Sequence, residues 1–102
     1  MADVDFSHIE GFDWDEGNSH KNEHKHGVAI SESEQVFANE PLIVASDPRH
    51  SESEPRFNAL GRTNEGRFMH VTFTLRDGAR RLRVISARDM SRKERVVYAQ
   101  KT

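Results

Sequence analysis

Residues 67 to 76 alternate Met69, Val71, Phe73 and Leu75 against Phe68, His70, Thr72 and Thr74. Apolar side chains at every second position read as an extended strand with one buried face. Asp77-Gly78 follows at once, a dipeptide favoured in two-residue hairpin turns, so the next stretch is predicted to fold back antiparallel. A two-residue turn sets Arg76 opposite Ala79. It then pairs Phe73 with Leu82, Val71 with Val84 and Met69 with Ser86 on the buried side. Thr74 faces Arg81, Thr72 faces Arg83 and His70 faces Ile85 on the other. With helices expected on the apolar side, the second face is left to solvent or a ligand.

The rest of the chain is arranged around that hairpin. Arg56 to Thr63 reads as a preceding strand, joined through a three-residue loop, Asn64-Glu65-Gly66, with Gly66 left-handed. That register buries Phe57 and Ala59 and turns Asn58 and Arg62 outward. Leu42 to Ala45 is a short apolar strand, and 46 to 55 is loop chemistry with two prolines. Asp15 is placed to cap a helix running to about His26 and ended by Gly27. Ser31 with Glu34 reads as a capping box opening a second helix that carries Val36 and Phe37, and Ser91 with Glu94 opens a terminal helix to about Lys101. Residues 1 to 12 are polar and aperiodic, so a loose extension is expected. No internal repeat is visible.

Charge is divided along the chain. Residues 1 to 48 carry two Lys and eleven Asp or Glu, net −9, whereas residues 49 to 102 carry thirteen basic and six acidic side chains, net +7; all eleven arginines lie in the second part. Arginine's planar guanidinium suits bidentate phosphate recognition, which makes a polyanion the first partner to consider. At 102 residues and 34% apolar content the core must be thin, so a bound partner would add a large share of the stability. The absence of Cys excludes disulfides and thiolate chemistry, and points to a reducing cytoplasm. No apolar run approaches the ~20 residues that cross a bilayer, and the acidic start lacks the form of a secretory signal.

Three constellations carry chemistry. His20 and His24, four apart on a predicted helix, have a metal-ligand spacing but lack further ligands, and exposed helix surface explains them better. Arg81, Arg83, Arg62, Arg88 and His70 form a cationic face; charge that guards strand edges explains this clustering less well than phosphate binding does. Cutting RNA without a metal needs a base for the 2′-hydroxyl proton, cations for the phosphorane and an acid for the 5′-oxygen. Arg83 and Arg62 can supply charge, and His50, His70, Glu94 and Tyr98 can carry protons. Glu94 and Tyr98 also have simpler readings, as a helix cap and a packed aromatic. The residues alone leave a nuclease and a non-catalytic nucleic-acid-binding or transcription-regulating module nearly level.

Phe12-Asp13-Trp14-Asp15 with Asn18 and Asn22, Lys25 to Val28, Val36-Phe37, Asp47 to Ser51, Ala59 to Arg62, Val84 to Arg88, and Glu94-Arg95 with Tyr98 together resemble the BrnT ribonuclease toxins of bacterial type II toxin–antitoxin operons. The resemblance runs from about residue 12 to the end. It implies a RelE-like α+β fold, which for this chain means an antiparallel sheet of about four strands, two N-terminal helices and one C-terminal helix. A flexible extension would occupy 1–11 and a single toxin domain 12–102. It also implies metal-independent, cofactor-free cleavage of RNA to inhibit translation. The partner would be a BrnA-like ribbon-helix-helix antitoxin, with operator DNA reached only through that complex and room for a homodimer within it. The resemblance carries over to Arg62, Arg83, Arg88, Glu94, Arg95 and Tyr98; with the residues read above, the catalytic candidates are Arg62, Arg83, Glu94, Tyr98 and His50, and the RNA-binding candidates are His70, Arg81, Arg88, Arg92 and Arg95. Gly17 and the segment Ile30 to Ser33 depart from the family pattern.

Overall fold

The computed structural model describes residues 4–15, 25–50 and 53–101, with His50 described by its backbone. Five strands, β1 (Gly11–Phe12), β2 (Ile43–Ser46), β3 (Phe57–Arg62), β4 (Phe68–Arg76) and β5 (Arg81–Asp89), form one sheet in the order β1-β5-β4-β3-β2. Helix α1 (Ile30–Val36) precedes β2, a 3-10 turn (Pro48–His50) follows it, and helix α2 (Arg92–Ala99) closes the chain. The four longer strands pair antiparallel, as expected. The fifth corrects the expectation of four: β1 lies parallel on the edge of β5, with Gly11 opposite Arg81 and Phe12 opposite Leu82. The Glu10 N–H donates to the Arg80 carbonyl at 2.7 Å and the Asp13 N–H to that of Leu82 at 2.9 Å.

Residues 4–12 are therefore part of the fold rather than a detached extension. Phe6 places its ring 6.0 Å from both Phe37 and Phe73, and Val4, Ile9 and Phe12 pack on the same core. The hydrophobic positions were present in the sequence, but without period two or 3.6 they announced no element. Of the first expected helix only the end is described: Lys25 and His26 are helical, and Gly27 at φ 64° follows in the left-handed conformation that ends helices. The remainder, with His20 and His24, lies outside the described residues.

The hairpin between β4 and β5 is the main revision. Its turn has four residues, 77 to 80, and Asp77, Gly78 and Ala79 all take positive φ. Arg76 consequently pairs with Arg81, Leu75 with Leu82, Thr74 with Arg83 and Phe73 with Val84. A slip of two preserves the faces. A β-bulge then skips Ile85, so Thr72 meets Ser86, Val71 meets Ala87 and His70 meets Arg88. One extra residue in one strand flips everything beyond it: Ala87, not Ser86, enters the core, and Arg88 turns to the polar face beside His70. The β3–β4 connection is as read, with Gly66 at φ 87° and Ala59 opposite Val71.

Met69, Val71, Phe73, Leu82, Val84, Ala59 and Val44 build the core from the sheet, and Val36 of α1 together with Val28, just before that helix's N-cap, close it. Phe37 meets Phe73 edge-on at 5.1 Å, a favoured arrangement of two ring quadrupoles. Helix α1 starts two residues earlier than expected and is not capped by Ser31. Ala29 is its N-cap, and the Glu32 carboxylate accepts from the Ala29 N–H at 3.0 Å. Its close approach to β3 depends on Gly61, where a Cβ would stand 2.7 Å from Val36 Cγ1. Arg67 ties the layers together, donating to both oxygens of Asp89 and of Glu32 and to the carbonyls of Gly27 and His26.

The second sheet face is not open. Helix α2 lies over its Phe68 end, with Tyr98 buried and its ring 5.8 Å from Phe68. At the other end the Thr74 hydroxyl, wholly buried, donates to the Pro55 carbonyl at 2.6 Å. His70, Thr72, Asn58, Ser86 and Arg88 occupy the strip between.

Candidate RNA-cleaving site

Register and capping together assemble a compact group in that strip. The bulge aligns Arg88 with His70 across the β4–β5 ladder. The capping box at the start of α2 fixes Glu94: its carboxylate accepts from the Ser91 N–H at 2.8 Å, while the Glu94 N–H donates to Ser91 Oγ at 3.2 Å. The same carboxylate receives both terminal nitrogens of Arg88, at 2.8 and 3.0 Å. A bidentate charge-assisted pair holds both partners in one orientation. The Arg88 hydrogen bonds, followed by the Ser91 N–H, hold the Glu94 carboxyl down at about 2 despite partial burial, and its bond to Glu94 pushes the Arg88 guanidinium up.

His70 is the titratable group of this cluster. Nε2 stands 3.7 Å from Glu94 Oε2, beyond hydrogen-bond reach, and the buried Nδ1 has no hydrogen-bond partner. Burial first, and the Arg88 charge second, hold the imidazole below its ordinary value, against the opposing pull of Glu94. A neutral imidazole near pH 7, beside a carboxylate that would stabilise its protonated form, has the electrostatics of a general base. Next to it the Thr72 hydroxyl donates to Asn58 Oδ1 at 2.7 Å.

Beyond α2's first turn the surface opens into a cleft of 370 Å³ lined by Pro41, Arg62, Phe68, Arg95, Tyr98 and Ala99. The Arg95 guanidinium lies over the Phe68 ring, 5.1 Å from its centroid. The Tyr98 hydroxyl donates to the Pro41 carbonyl at 2.6 Å, and burial raises its pKa while Arg62 opposes the rise. Arg62 and Arg92 are exposed. Seven sequence candidates, Arg62, His70, Arg88, Arg92, Glu94, Arg95 and Tyr98, therefore lie on α2 or on the sheet face beneath it.

Arg83 and Arg81 do not join them. Arg83 is five residues before Arg88 on β5, roughly 15 Å along a strand, and pairs with Asp13 at 3.5 Å and Asp15 at 2.9 Å. Arg81, at the hairpin, pairs with Asp77 at 3.4 Å. For His50 the description ends at the backbone of the 3-10 turn.

Comparison with known proteins decides the family. The family model described as "Ribonuclease toxin, BrnT, of type II toxin-antitoxin system" matches residues 14–94. The chain belongs to the BrnT family. Among solved structures, the BrnT ribonuclease toxin of Brucella abortus is similar at 26% identity and a TM-score of 0.55, over 80% of this chain and 97% of that one. No curated protein matches.

In this BrnT chain the described residues contain no group of three or more metal-ligating side chains, and no described helix is long and apolar enough to cross a membrane. Two contributors escaped sequence reasoning. Phe68 had a signal, being the one large apolar side chain on the polar face of β4. Arg67 had none, because its partners Glu32 and Asp89 come from elements distant in sequence.

Proposed function

We propose that this BrnT-family toxin is a metal-independent endoribonuclease whose reacting centre is the His70–Arg88–Glu94 cluster. The observation that carries the reading is the neutral-leaning His70 imidazole beside a clamped Arg–Glu pair, at the edge of an arginine-lined cleft. His70 takes the proton of a substrate 2′-hydroxyl; the 2′-oxygen attacks phosphorus and the bond to the 5′-oxygen breaks. The products are a 2′,3′-cyclic phosphate and a 5′-hydroxyl, the latter protonated from water. Arg88 faces the charge that develops on the phosphorane, and Glu94 positions Arg88 and stabilises the imidazolium. Arg62 and Arg92 follow the RNA backbone, and Arg95 lines the cleft whose floor Tyr98 supports. Arg81 and Arg83 form a second, outlying phosphate contact, and His50 remains a further proton carrier on the sequence resemblance.

In this reading the toxin works in the cytoplasm, lowers translation by destroying RNA, and is neutralised by a BrnA-like ribbon-helix-helix antitoxin through which the complex reaches operator DNA. Incubating the pure chain with RNA in excess chelator tests it. Cleavage with cyclic-phosphate ends that His70→Ala loses is the expected result; bound but intact RNA would instead support a non-catalytic binding module.

A further inference from the structure

The cleft beside α2 has a lining that phosphate binding alone does not require. Phe68 is an exposed aromatic, 36% accessible, on a strand face otherwise given to His70, Thr72 and Thr74. Its ring is held edge-on by Tyr98 and carries the Arg95 guanidinium above it, while Pro41 and Ala99 complete an apolar wall and Arg62 a cationic one. A purely apolar ligand would leave two arginines facing it, and a simple anion would gain nothing from Phe68, Pro41 and Ala99. A flat, hydrogen-bonding π-system attached to a negative charge satisfies both walls. Aromatic rings and arginine planes are the surfaces on which unpaired nucleobases stack. Phe68 is two residues from His70 on the same face of β4, about 7 Å, so a base seated there belongs to a nucleotide beside the one reacting at His70.

We infer that this cleft is a nucleobase subsite, in which one base of the RNA strand takes the place of the Arg95 guanidinium on the Phe68 ring, Arg95 moves outward to cover the base's other face, and Arg62 meets its phosphate. The inference rests on the ribonuclease reading for its substrate, but binding tests it independently of cleavage. The probes are uncleavable 2′-O-methyl octaribonucleotides carrying a single 2-aminopurine at each position in turn. One position is expected to show strong fluorescence quenching on binding to the intact toxin. Phe68→Leu, which keeps an apolar side chain against Tyr98, should lose that quenching and weaken binding about tenfold, about 1.4 kcal/mol, while Phe68→Trp retains both. Wild-type quenching and affinity in a folded Phe68→Leu protein would overturn the subsite. So would unaltered RNA binding combined with loss of antitoxin binding, which would give the cleft to the protein partner. A wild-type chain that leaves cleavable RNA intact, yet shows Phe68-dependent quenching, would sink the ribonuclease reading and keep the subsite.

Discussion

Arg83 and Arg88 stand on the same strand and both are ion-paired, yet their settings differ in kind. The partners of Arg83, Asp13 and Asp15, come from the N-terminal segment, and the shorter contact is to a carboxylate more than half exposed. Arg88 meets one carboxylate with two nitrogens, and that carboxylate is itself held by the first turn of α2. Arg83 is itself the less exposed arginine, 19% against 37%, but its nearer partner Asp15 is solvated, and such a single contact exchanges with another anion more readily than a two-point one and contributes little to stability. A bidentate pair fixed by a helix cap is preorganised, presenting its charge in one place before any substrate arrives. Two arginines that look equivalent in sequence thus divide into an exchangeable contact and a built site.

The strongest way to break this comparison is to remove the base. His70→Ala should lower the RNA cleavage rate by at least about a hundredfold, measured under single-turnover conditions, with the melting temperature monitored for the fold. A His70→Ala rate near wild type would transfer the chemistry elsewhere, His50 and the Arg83 end included.

Arg88→Ala comes next, with loss of activity and a stability change of defined pH dependence. Glu94 titrates at about 2 in the fold against an ordinary 4.5. A depressed carboxylate stabilises the folded state above its unfolded pKa, and that contribution disappears as pH falls from about 4.5 to about 2. Removing Arg88 releases the largest cause of the depression. Urea titrations should therefore show wild type more stable than Arg88→Ala near neutrality, with the gap closing through that acid interval; a gap of constant size would mean that the pair is not what stabilises.

A smaller effect sharpens the contrast. Arg83→Ala should reduce RNA affinity only a few-fold, flattening the salt dependence by about one phosphate contact, with single-turnover cleavage at saturating RNA close to wild type. Abolished cleavage in a folded Arg83→Ala protein would reverse the ranking of the two arginines. The finest test is the acid limb of the wild-type rate profile. Because burial lowers the His70 pKa below 6.5, the neutral base persists to lower pH, and the half-maximal rate should fall on the acid side of that value. A midpoint above 6.5 would contradict the environment assigned to His70.

The sequence by itself determined the antiparallel strands, the buried alternation of Met69, Val71 and Phe73, the Gly66 loop, the Ser91–Glu94 cap and the family, because these depend on local periodicity, turn chemistry and spacing. It also placed most site candidates on the correct elements. It did not determine which arginine stands beside His70. That required the four-residue turn and the skipped Ile85, whose combined offset follows from core packing between β4 and β5 and has no local signature. Nor did local pattern announce β1, whose two residues gain their place only by adding to an existing edge, or the burial of His70, which exists because α2 folds back over a face that alternation alone leaves open. Strand identity is encoded within ten residues of chain; the pairing of Arg88 with Glu94 and the pKa of His70 arise where three elements meet, and only the tertiary structure brings them together.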